Sequence, residues 1–366
     1  MLTNFWWPLI WIFLAGAVLS RLPKKCEQIQ DGIVERWNVL PAVLLILPYI
    51  IWAGFRGNIA DTRLYRIGFL NTEADLSIIP TLLADPNRED VGYEIFVVLM
   101  RCLIGENADL FFLIIAAFQG LCIALIFRQY SSNYWISIFL FIASTDYMSW
   151  MMNGMRQFIA VTIIFACFGW MLQKKYIHLI VMILLVSTFH ESALLMLPII
   201  FIVQGEAWNI KMILMLCVTM VVVAFIDRFT PIMNELLQNT NYDTALSEQV
   251  LSQDDGTNIL RVLVYSVPAL LSLFCIKHVR TANNPVINLS VNCSIVTMAL
   301  YLLAMVTSGI YIGRLPIYTT LQGYIAVPWL INNIFEKKSA RLFTCVMVLL
   351  FCVFYYYQMF IAWNYG

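Results

Sequence analysis

The chain is a succession of long apolar runs separated by short polar punctuation, from one end to the other. A helix crossing a bilayer needs roughly 20 predominantly apolar residues. Runs approaching that length lie near 5–19, 37–54, 109–127, 134–152, 155–172, 176–189, 192–204, 210–226, 259–276, 286–307, 311–334 and 342–362. They predict an all-α fold: a polytopic integral membrane helical bundle forming a single transmembrane domain over residues 1–366, with about 12 spans. The first run, "FWWPLIWIFLAGAVLS", has no basic residue before it and is followed by "RLPKK", the reverse of a cleavable signal peptide, so it reads as a retained helix. "YEIFVVLMRCLIG" is too short to cross and carries Arg101; it predicts an interfacial helix near 93–104.

Composition agrees with the pattern. With 61% hydrophobic and only 12% charged residues, the chain has too little polar surface to cover a soluble globule. Its nine cysteines are scattered, mostly inside apolar runs and with no CxxC, so they read as small buried hydrophobes. There is no Asp-x-Asp pair and no His/Cys cluster at ligand spacing, so neither metal nor cofactor is expected. Formal net charge is zero, and no global field recruits nucleic acid.

The placement of charge is more informative. Cytoplasmic loops carry the Lys/Arg excess. With the N-terminus outside and the spans above, all eight lysines (24, 25, 174, 175, 211, 277, 337 and 338) fall inside. That parity requires the apolar run 176–204 to break and turn back; as one long helix it would put the acidic loop 228–258 inside and "KHVR" outside. The break is expected at "FHES", giving a broken helix pair near 189–191. Irregular backbone at membrane depth survives only where protein or water satisfies it, and broken helices often build binding sites.

On this topology the remaining basic residues of the outer side are nine arginines and no lysine: 56, 63, 66, 88, 101, 156, 228, 261 and 314. Arginine's rigid fork suits bidentate recognition of phosphate or carboxylate. The competing explanation is pairing with outer acids such as Asp61, Glu73, Asp85, Glu89, Asp90 and Glu94. Arg156 opens a span just after an Asn-Gly turn, where helix N–H groups favour anions. Arg314 sits in an apolar aromatic stretch where a charge is costly. Arg56 begins "FRGNIADTRLYRIGF", which also carries Asp61, Arg63, Tyr65 and Arg66. Arg56, Asp61, Arg156, His190 and Arg314 thus share one expected depth. The outer loops 55–108 and 228–258 are expected substrate or lid elements, the second with a short amphipathic helix.

"FRGNIADTRLY", then "NGMRQFIAVTIIFACFGWMLQKKYIHLIVMILLVSTFHESALLMLP", then "GRLPIYTTLQGYIAVP" together resemble the EpsG family, Wzy-like polysaccharide polymerases of bacterial surface-glycan assembly. The middle block is the most specific: an Arg-Gln pair starting a helix, a basic turn, then His-x-Ser-Ala, with Glu191 at x. The lysine parity places both termini on the non-cytoplasmic side, and the resemblance implies a glycosyltransferase at the outer face of the bacterial cytoplasmic membrane. It would join polyprenyl-pyrophosphate-linked oligosaccharides into a surface polymer, beside a flippase and a chain-length regulator. His190, Arg156 and Asp61 are then the expected catalytic residues, with His190 and Asp61 both open as the base. Arg56, Arg314, Gln157, Tyr65 and Ser192 would bind pyrophosphate or glycan. A lipid-linked oligosaccharide flippase and a glycan ligase are the rival readings.

Overall fold

A computed structural model describes residues 5–29, 32–85, 88–226, 229–230, 232, 235, 256–309 and 311–362. Most of the expected loop 228–258, with its amphipathic helix, lies outside the described residues. The chain forms two compact units. One comprises Met1–Phe168, Leu184–His190 and Lys337–Gly366; the other comprises Gly169–Ile183 and Glu191–Glu336.

The first unit begins with α1 (Trp6–Leu19), a β-hairpin of β1 (Lys24–Ile29) and β2 (Gly32–Trp37), and α2 (Val39–Gly54). The hairpin departs from the all-helical expectation. Its strands pair antiparallel from Lys24↔Trp37 to Ile29↔Gly32. Three short helices follow in the expected outer loop: α3 (Thr62–Asn71), α4 (Ile79–Ala84) and α5 (Val91–Ile104), the last at the position expected for an interfacial helix.

Then comes α6 (Ala108–Tyr130), of 23 residues and about 35 Å at 1.5 Å per residue, long and apolar enough to cross a membrane. It packs along α2. Gly120 permits that approach, because a Cβ there would stand 2.4 Å from Ile50 Cγ1. The expected span 134–152 is two helices, α7 (Tyr134–Ala143) and α8 (Asp146–Met152), divided where Thr145 takes a left-handed φ of 66°. The span 155–172 likewise divides at Cys167 into α9 (Met155–Ala166) and α10 (Phe168–Leu172).

The run 176–204, of which Leu184–His190 belong to the first unit and the rest to the second, breaks as the lysine parity required. Helix α11 (Tyr176–Ser187) stops, residues 188–190 are not helical, a 3-10 turn spans Glu191–Leu195, and α12 (Met196–Ile202) follows. The Tyr176 and Phe201 rings stack with centroids 4.7 Å apart. In one continuous helix those residues would stand about 37 Å apart. The run therefore folds back on itself.

Next are α13 (Ile210–Ala224), α14 (Ile259–Phe274) and α15 (Ile276–Ala282), the last two bent by 73°. The core of this unit is α16 (Pro285–Val306), whose most apolar window is 72% buried, packed against α17 (Ile317–Ile334). Buried Asn292 in α16 donates to the Val203 carbonyl at 2.9 Å and accepts from the Trp208 backbone N–H at 3.2 Å. Asparagine inside an apolar bundle is tolerable because its hydrogen bonds are made internally.

The chain then returns to the first unit with α18 (Lys337–Tyr356). Leu342, Leu349, Leu350 and Val353 are each more than 60% exposed along one face of α18, whereas Met347 and Phe354 are buried. Such an apolar face is stable in lipid and costly in water. Among the described residues, three helices are long and apolar enough to cross a membrane, or four if the bent pair is one span, and seven more are apolar but only 10–17 residues long. The expected runs are thus nearly all helical, but helix length alone supports fewer full crossings than 12.

Candidate functional site

Arg156 lies in the first turn of α9, directly after the Asn153-Gly154 turn. Its Nη1 donates to Asp90 Oδ2 at 2.6 Å, it hydrogen-bonds Tyr65, and its guanidinium carbon lies 5.9 Å from the Tyr93 ring centroid. Asp90 is the N-terminal flanking residue of α5 in a left-handed conformation, φ 51°, which Asp tolerates better than most residues. The Asp90 side chain is 4% exposed and that of Arg156 41%. A buried acid therefore anchors a five-donor side chain that remains partly exposed.

Arg156 lines a cavity of about 610 Å³ within the first unit. Tyr65 and Leu64 of α3, Tyr93 and Glu94 of α5, and Glu73 and Arg88 line it with Arg156. Arg88 pairs with Glu94 and lies 3.7 Å from Asp85 Oδ2. Burial pushes the Tyr93 hydroxyl above its ordinary pKa, so it stays a neutral donor.

The other expected residues are distributed unequally. Arg56 lies just past α2, 4% exposed and outside the cavity lining. It donates to the Met151 carbonyl and contacts Met155 Sδ at 3.0 Å, 4.5 Å from the Phe112 ring centroid. It ties the end of α8 to the start of α9 and so sets the turn that presents Arg156. Burial lowers its pKa to about 10, which leaves it cationic at neutral pH. Gln157 is 1% exposed and buried within α9, again outside the cavity lining. Asp61 precedes α3 and accepts the Tyr65 backbone N–H at 3.1 Å through its own carbonyl. Its carboxylate forms no ion pair among the described residues, and the neighbouring Arg66 pairs with Asp109 at 2.7 Å.

His190 follows a segment stapled to α5. The Gly92 N–H donates to the Thr188 carbonyl at 2.8 Å, and Phe189 packs 6.1 Å from Phe96. A Cβ on Gly92 would stand 2.0 Å from Thr188 Oγ1, so the contact requires glycine. The turn before His190 and the turn that carries Asp90 are thereby held side by side. Ser192 and Arg314 belong to the second unit. There Ser192 Oγ lies 2.9 Å from the Tyr318 hydroxyl, and Tyr318 is one helical turn beyond Arg314.

Among the described residues, several of the arginines expected on the outer side are paired: Arg66 with Asp109, Arg88 with Asp85 and Glu94, Arg101 with Glu106, and Arg156 with Asp90. Sequence reasoning missed Asp90, Tyr93 and Glu73 as parts of the Arg156 site. The available signal was "RED" directly before α5, an acid at a helix N-terminus. Among the described residues no group of three or more His, Cys, Asp or Glu is arranged to hold a metal ion.

Apolar helices with lipid-type faces define a multi-pass helical membrane protein, and its first unit holds a cavity lined by a buttressed arginine. The EpsG family model matches residues 39–365, nearly the whole chain, and the protein belongs to this Wzy-like polymerase family. No curated protein matches the chain, and no solved structure does.

Proposed function

We propose that the protein is a glycosyltransferase that polymerises polyprenyl-pyrophosphate-linked oligosaccharide repeat units at the outer face of the bacterial cytoplasmic membrane. The observation that carries this reading is Arg156, held by buried Asp90 at 2.6 Å and lining a cavity of about 610 Å³. In the proposed reaction the hydroxyl oxygen of an acceptor sugar attacks the anomeric carbon of the donor. The bond from that carbon to the polyprenyl pyrophosphate breaks, and the leaving group takes the electron pair. The hydroxyl proton passes to a base, His190 or Asp61.

Charge develops on the pyrophosphate as the bond breaks, and preorganised cationic donors stabilise it. Arg156 takes that role, with Tyr65 beside it. Arg56 sets the turn beneath Arg156, which replaces the direct contact expected of it. Arg314 and Ser192 are assigned to the glycan, both termini are assigned to the non-cytoplasmic side, and about twelve crossings are counted with the shorter helices included.

The test supplies purified protein with lipid-linked repeat units in detergent. A ladder of products supports polymerisation; a single addition indicates a ligase, and unchanged chain length indicates transport. Removing one anion-stabilising donor typically costs about 100-fold or more in rate. Arg156→Ala is therefore expected to slow ladder growth about 100-fold or more at unchanged protein level, and a full ladder at the normal rate from that variant would refute the assignment.

A further inference from the structure

The first unit holds a second cavity, of about 490 Å³, beside the β-hairpin. Its lining carries three cationic side chains, Lys24, Arg36 and Arg128, against one carboxylate, Glu35. Glu35 is mostly exposed and lies 3.4 Å from Lys24 Nζ at the rim. Arg128 donates Nε to the Trp37 carbonyl at 2.6 Å, which fixes its guanidinium plane at the end of the hairpin and leaves its other edge for a ligand.

Helix α6 fixes the depth of this cavity. Its first turn carries Asp109, bound to Arg66 of α3, the neighbour of Tyr65 in the Arg156 cavity. Its last turn carries Arg128. The 19 residue steps from one to the other rise about 29 Å, close to the hydrocarbon thickness of a bilayer. The second cavity therefore sits at the headgroup level of the opposite leaflet. Trp37 and Trp135 line it, and amphipathic aromatic rings are enriched at that level.

We infer that this cavity binds the phosphodiester headgroup of an anionic phospholipid. The Arg128 guanidinium takes phosphate oxygens in bidentate fashion, Arg36 and Lys24 add positive charge beside it, the indole rings accommodate the glycerol and first methylenes, and basic pockets beside helices on the cytoplasmic side suit such lipids. The inference needs only a membrane-embedded chain and is independent of the polymerisation reading.

Native mass spectrometry of the purified full-length protein tests it, with phosphatidylglycerol, phosphatidylcholine and soluble glycerol 3-phosphate as separate probes. Preferential retention of phosphatidylglycerol is expected. Loss of one charge-assisted contact in Arg36→Gln should weaken that retention about tenfold. Lys24→Gln, at an exposed position, serves as the second variant should Arg36→Gln fail to fold. Equal retention of the two lipids, or unchanged retention in the folded variants, overturns the inference. Binding of glycerol 3-phosphate as tight as that of the lipid also overturns it, by marking a site for soluble phosphate.

Discussion

Asp90→Asn separates holding Arg156 from being Arg156. Asparagine tolerates the left-handed backbone at position 90, φ 51°, so the substitution removes charge without adding strain. It exchanges a charge-assisted bond at 2.6 Å for a neutral one, a loss of about 1–2 kcal/mol. Arg156 is 41% exposed and can be hydrated when released, so the loss stays below the roughly 3–5 kcal/mol of breaking a fully buried pair. A displaced guanidinium still matters for rate, since a misplacement of about 1 Å can cost up to ~100-fold. We expect polymerisation in Asp90→Asn to fall about 10- to 100-fold, less than in Arg156→Ala. In an Arg156→Ala background, Asp90→Asn should cost nothing further, because Asp90 acts through Arg156. The assay is the initial rate of ladder growth on lipid-linked repeat units, with the thermal midpoint measured alongside. A full rate in Asp90→Asn, or losses that multiply in the double variant, would refute the reasoning.

Gly92→Ala should destabilise the protein by about 1–3 kcal/mol, since its Cβ would overlap Thr188 Oγ1; Thr188→Ala should recover part of that loss, as read by thermal unfolding. Arg56→Met forfeits the bond to the Met151 carbonyl, about 1–3 kcal/mol. Because the folded pKa of Arg56, about 10, lies below its unfolded value, the unfolded chain binds more protons between the two, and stability from this group rises with pH only above about 10. The stability difference between wild type and Arg56→Met should therefore be flat from about pH 6 to 9, and a slope in that window would show that Arg56 is not the buried cation described. Polymer synthesis should persist in a chelator, because charge stabilisation is assigned to guanidinium groups; loss of the ladder on chelation, with recovery on adding a divalent ion, would overturn that assignment.

Much of this architecture is local, and the sequence by itself determined it. Hydropathy runs become helices because backbone groups in lipid must bond within their own segment, so α1, α2, α6 and α16 lie where the apolar residues do. Lysine parity placed the break at "FHES", and the Tyr176–Phe201 stack shows the reversal. The Asn-Gly turn put Arg156 at the head of a helix. Tertiary structure alone decided what Arg156 does there. Its partner Asp90 is 66 positions away, on a helix flank that hydropathy reads as an ordinary loop. The same holds for Arg56, whose charge suggested a ligand but whose neighbours, Met151, Met155 and Phe112, make it a buried brace. A period of 3.6 residues specifies which face of a helix is apolar. Which other helix meets that face, and hence whether an arginine is paired, buried or open to a cavity, depends on packing between segments distant in the chain.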